Sequence, residues 1–120
     1  MEINNGGNKL ENIKNDAHIV WNNILDKLGE NKREFKTVPK TNKQPIWFSA
    51  YREDRYVYVE SAIENMPSSK ISTRRKLSFK VFEKVYPLYL KRENGEAVSK
   101  EVIKVTVNQV YYFSLIKHLG

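Results

Sequence analysis

The hydrophobic period of this chain changes twice along its length, and that change constrains the fold more than any single residue does. From Leu10 the apolar residues fall at Leu10, Ile13, Ala17, Val20, Trp21, Ile24 and Leu28. This three-or-four spacing lines one face of a helix, and Gly29 follows it as a stop. The stretch "PIWFSAYREDRYVYVESA" then switches to two runs rich in aromatic and branched residues, which predicts a hairpin over 45–62 with Arg52-Glu53-Asp54-Arg55 at its tip. Strand alternation places Ile46, Phe48 and Ala50 on one face and Trp47, Ser49 and Tyr51 on the other. Between helix and hairpin, Glu34 to Val38 forms a short candidate strand that Pro39 limits to a sheet edge.

The helical period returns after the loop "ENMPSSK". Ser78 is placed to cap a helix whose apolar positions are Phe79, Phe82, Val85, Tyr86 and Tyr89, and Pro87 should end or kink it near Tyr86. "RENGEAVS" reads as a turn centred on Asn94-Gly95. Ser99 then caps a short helix, and Thr106-Val107-Asn108-Gln109 matches the capping box that opens a last helix to His118. The expected fold is α+β: an N-terminal helix on a small antiparallel sheet, followed by a helical, helix-turn-helix-like C-terminal half. A hairpin precedes that half, where a winged helix carries its wing after it.

At 120 residues the chain suits one compact domain, residues 9–120, after a polar N-terminal end, residues 1–8, that has too little apolar surface to order itself. There is no cysteine, which removes disulfides, thiolate zinc sites and a thiol nucleophile from consideration. No charged start followed by an apolar run marks a leader, and no stretch approaches the roughly 18 apolar residues of a membrane span. A cytoplasmic protein with no membrane partner is expected.

The net charge of +7 is concentrated in the second half: ten basic side chains face nine acidic ones in residues 1–60, and eleven face five in 61–120. In "MPSSKISTRRKLSFKVFEKVYPLYLKR", eight basic residues stand against the single acid Glu83. So one-sided a run calls for a polyanionic partner, because fixed cations near phosphates gain affinity by releasing condensed counterions. Lys70, Arg74, Arg75, Lys76 and Lys80 are the candidate phosphate contacts, on a loop that leads into a helix N-terminus, with Ser69 and Ser72 adding hydroxyls. In the last helix Asn108, Gln109 and Tyr112 are candidate base or sugar contacts, although Gln109 is also the partner that a capping box requires. Trp47, Tyr51, Tyr56 and Tyr58 on or near the hairpin suggest a stacking platform for single strands, set against the commoner role of strand aromatics as core.

Signals for catalysis are sparse. Glu34-Phe35-Lys36 has the carboxylate-x-Lys spacing of metal-dependent nucleases, with Asp26 the one nearby upstream acid. Three-residue matches of this kind arise often by chance. His18 and His118 are isolated, and no Gly-rich phosphate loop follows a strand. A non-enzymatic protein without a cofactor is expected.

Residues 55–119 resemble a small module attached to bacterial restriction and related DNA-processing proteins. The resemblance rests on "RYVYVESA" as a final strand, "KLSFKVFEKVYPLY" as a helix entered through a basic loop, and "TVNQVYYFSLIKHL", where Asn108 and Tyr111 match an Asn-x-x-Tyr pattern. It implies an accessory, DNA-associated role with the chemistry supplied elsewhere; no attached nuclease domain is expected from these residues. Nucleic acid, DNA first, is therefore the expected partner. The alternative is an interaction module or inhibitor that docks the same basic face on an acidic protein or an effector complex.

Overall fold

The structure, a computed structural model, describes the backbone of residues 6–120 and the side chains from Asn12 onward. Helix α1 runs Gly6–Leu28, followed by strands β1 (Arg33–Lys36), β2 (Trp47–Glu53), β3 (Tyr56–Ser61) and β4 (Arg75–Leu77), then helices α2 (Phe79–Glu93), α3 (Ser99–Val105) and α4 (Gln109–Leu119). This is the expected α+β arrangement. Of the N-terminal end expected to fray, residues 1–5 lie outside the described residues and Gly6–Asn8 are helical.

The four strands form one antiparallel sheet in sequence order, β1-β2-β3-β4. Register places Phe35 opposite Phe48, Ala50 opposite Val59, and Val57 opposite Leu77. All of these face the helices and are buried. Against them pack Ala17, Trp21, Ile24 and Leu28 of α1, Phe82 and Val85 of α2, and Tyr111, Tyr112 and Leu115 of α4. Aromatic rings join the layers: Trp21 lies 4.9 Å from Phe82, and Phe48 meets Tyr111 edge-on at 5.0 Å. Such geometry exploits the ring quadrupole as well as area burial. Gly29 ends α1 with φ 73°, in the left-handed region, and its carbonyl accepts the Arg52 N–H at 2.7 Å, tying the helix end to β2.

Four local expectations are corrected. The basic stretch before Ser78 is partly strand, because Arg75–Leu77 completes the free edge of β3. Pro87 does not end α2, which continues to Glu93 and has Tyr86, Leu88 and Tyr89 buried around the proline; tertiary packing outweighs the lost backbone bond. Ser78 does cap α2, accepting the Val81 N–H at 3.4 Å, but Ser99 is the first residue of α3, and the cap position, Val98, offers no side-chain bond. The predicted capping box at Thr106 shifts by two residues: the N-cap of α4 is Asn108, and the Thr106 hydroxyl accepts the Asn108 N–H at 3.0 Å in a local turn.

Candidate nucleic-acid interface

All three helices packed on the sheet, α1, α2 and α4, lie on one side of it, so alternation along each strand sends every second side chain to an outer face that no helix covers, where Ser49 and Tyr51 are nonetheless buried. Tyr51, Tyr58 and Lys76 stand side by side there in register, with Tyr56 opposite Glu53 near the hairpin turn. The Tyr51 and Tyr58 rings stack at 5.8 Å. Arg74 lies over Tyr58 with its guanidinium carbon 3.9 Å from the ring centroid. The same guanidinium donates to the Tyr51 hydroxyl at 2.8 Å and to Glu53 at 3.2 Å. These bonds, the Tyr51 oxygen first, raise its already high pKa and hold the side chain in one place. Lys76 sets its ammonium 3.8 Å from the Tyr56 ring centroid, and Lys32, 5.7 Å from Tyr51, pairs with Glu60 at 2.9 Å. That pairing lowers the Glu60 pKa and raises that of Lys32.

Strand formation at β4 divides the basic cluster between two faces. Arg74 and Lys76 belong to the outer face, while Arg75 turns inward, donating to the Asn108 side-chain oxygen at 3.0 Å and lying over the Tyr111 ring at 5.9 Å. Ser69 joins the same junction: its N–H bonds the Trp47 carbonyl at 2.8 Å and its hydroxyl bonds the Tyr111 hydroxyl. Lys70, Ser72 and Lys80 are exposed, the last on the first turn of α2. Among the described residues, Lys70, Lys76, Lys80 and Lys84 make no ion pair.

The remaining candidates on α4 are occupied within the fold. Gln109, with its amide nitrogen turned inward, donates to the Thr106 and Val107 carbonyls at 2.9 and 3.0 Å. Tyr112 is 1% exposed; its hydroxyl accepts the Ser78 N–H at 3.1 Å, and burial pushes its pKa up to about 12. It is out of reach of an external partner. Of the aromatics expected as a stacking platform, Tyr56 and Tyr58 lie on the outer face beside Lys76, whereas Tyr51 is buried there and Lys32, which packs near it, was not among the sequence candidates. The signal for Tyr56 and Tyr58 is their two-residue spacing on β3, which sets them on one face, and cross-strand register brings Tyr51 opposite Tyr58.

Glu34 has a structural task. Its carboxylate spans from β1 to the loop after β3, accepting the backbone N–H groups of Ile63 at 2.7 Å, Glu64 at 3.0 Å and Asn65 at 3.0 Å, and the Asn65 side-chain amide at 2.8 Å. These donors, the Glu64 N–H foremost, hold its pKa down at about 2. Lys36 points to Trp47, 5.3 Å from the ring, and Asp26 reaches Arg52 at 3.8 Å, so the three parts of the nuclease-like pattern serve different contacts. His18 stacks on Phe79 at 4.0 Å, and His118 bonds the Lys36 carbonyl at 3.2 Å. Among the described residues no three His, Cys, Asp or Glu side chains gather as a metal-binding group, and no helix is long and apolar enough to cross a membrane.

No protein-family model, curated protein or solved structure matches the chain.

Proposed function

We propose that the protein binds nucleic acid without acting on it chemically, using the open sheet face around Arg74 and the lysines beside it. The observation that carries this reading is the placement of Arg74 over Tyr58 and Lys76 over Tyr56 on a face no helix covers. Cations held on aromatic rings offer charge to phosphates and flat surface to bases at one location. Lys76 on that face, with Lys70 on the loop before β4 and Lys80 and Lys84 on α2, none of them in an ion pair among the described residues, supply the field that draws a polyanion in. The accessory, DNA-associated role implied by the resemblance of residues 55–119 is compatible with this reading.

The test is binding of labelled DNA across a salt series from about 50 to 200 mM, where phosphate-driven affinity falls steeply. The wild type should bind saturably, and replacing Lys76 and Lys80 by Ala should weaken binding and lower the slope of log affinity against log salt by about one per phosphate contact removed. Absence of binding at low salt overturns the reading.

A second reading, docking on a protein, has its own support in the loop that Glu34 holds. Ile63 and Met66 on that loop are 76% and 67% exposed although its backbone is fixed. Apolar side chains presented on a pinned loop suit the centre of a protein interface. Generic DNA in excess separates the two: it should compete away nucleic-acid binding and leave protein docking unaffected.

A further inference from the structure

Resting on that reading, we propose that the nucleic acid bound is single-stranded, with unpaired bases laid on Tyr56 and on the Arg74 guanidinium and with Lys76 on the phosphate between them. The groups on β4 and α4 suited to reading a duplex are consumed inside the fold. Base edges in the major groove are read by outward-pointing Arg, Asn or Gln. Here Arg75 and Asn108 bind each other, and Gln109 is folded onto the backbone carbonyls of Thr106 and Val107. What faces outward is π-surface, and a duplex hides the faces of its bases in its own stack.

Spacing leads to the same choice. Tyr56 and Tyr58 are alternate residues of β3 on one face, so the Tyr56 ring and the guanidinium over Tyr58 are separated by roughly 6.6 Å along the strand. That is about twice the 3.4 Å rise between stacked bases in a duplex strand. Bases lying on both positions must be splayed apart, which a single strand allows and a paired one does not. Tyr56 is 36% exposed, and the Lys76 ammonium over its ring is a flexible group that uncovers that ring face when it moves to a phosphate. Arg74 differs: the Tyr51 hydroxyl and Glu53 fix it, so its outer surface is a standing platform.

The experiment compares three labelled ligands at about 50 mM salt: an oligothymidylate of about 12 nucleotides, within the usual site size of one small domain, an abasic strand of equal phosphate number, and a duplex of equal length. Wild type, Arg74→Lys and Tyr56→Leu are used, each checked for an unchanged melting curve. Arg74→Lys keeps the charge and removes the plane. Oligothymidylate should bind at least about fivefold more tightly than the abasic strand, the low end of what one stacked base contributes. Both variants should lose about fivefold or more on oligothymidylate and little on the abasic strand. Equal binding of all three ligands, or an Arg74→Lys variant that binds oligothymidylate as the wild type does, overturns single-strand stacking while leaving nucleic-acid binding in place. Failure to bind any of the three overturns both.

Discussion

Arg75 donates a hydrogen bond to the side-chain oxygen of Asn108, 3.0 Å away, and so ties β4 to the residue that opens α4. The contact makes Arg75 a structural cation amid candidate ligand contacts. Removing its side chain leaves the Asn108 oxygen without its donor and strips cover from Tyr111.

Arg75→Ala is therefore expected to destabilise the fold by about 1 kcal/mol, a typical net value for one hydrogen bond. For a domain of this length that lowers Tm by about 3–5 °C. Lys70→Ala and Lys80→Ala, which remove exposed side chains without ion pairs among the described residues, should leave Tm unchanged. Thermal melts of the three variants check this. Equal Tm values across them would show that the Arg75 bond contributes nothing to stability.

Glu34 predicts an acid-sensitive loop. Its carboxylate pKa is lowered from 4.5 to about 2 by the N–H donors of Glu64, Ile63 and Asn65. A depressed carboxylate stabilises the fold fully above its unfolded value, and the contribution is lost as pH falls from 4.5 toward 2. Glu34→Gln should cost about 1–2 kcal/mol at neutral pH, since a neutral amide presents one acceptor oxygen to donors that now share two. The gap in Tm between wild type and variant should narrow between pH 5 and pH 3. A gap of constant size over that range would mean that the carboxylate charge is not what holds the loop.

The helices and the hairpin were legible because burial imposes a period, and period survives in the residue order. The start of α2 was legible too, from Ser78. β4 was not: three residues, Arg75-Lys76-Leu77, carry no periodic signal, and they form a strand because β3 has a free edge and Leu77 finds Val57 across it. That pairing decides the fate of the basic cluster, since consecutive strand residues point to opposite faces. A loop would have left Arg74, Arg75 and Lys76 equivalent; the strand gives Arg75 to Asn108 and the other two to the tyrosines. The occupied states of Gln109 and Tyr112 were hidden for a similar reason, because a polar side chain looks the same in sequence whether its partner is a ligand or the backbone of Thr106 or Ser78. Glu34 was visible as a carboxylate near a lysine, yet its partners lie 29 to 31 residues away in a loop whose path no local pattern discloses.

Pro87 predicts a stabilising substitution. It sits inside α2 between the buried Tyr86 and Leu88, and it lacks the N–H that would bond the Glu83 carbonyl one turn earlier. Proline in a helix interior costs about 3 kcal/mol relative to alanine. Against this, alanine frees the unfolded chain, which returns about 0.4–1 kcal/mol, and it removes ring contacts in the shallow groove that Pro87 shares with Ile13 and Leu90. The balance favours alanine: Pro87→Ala should raise Tm by several degrees and add helical signal in circular dichroism. A lower Tm would mean that α1 and α2 pack on a bend the proline maintains, with Tyr86 and Leu88 displaced when the helix straightens.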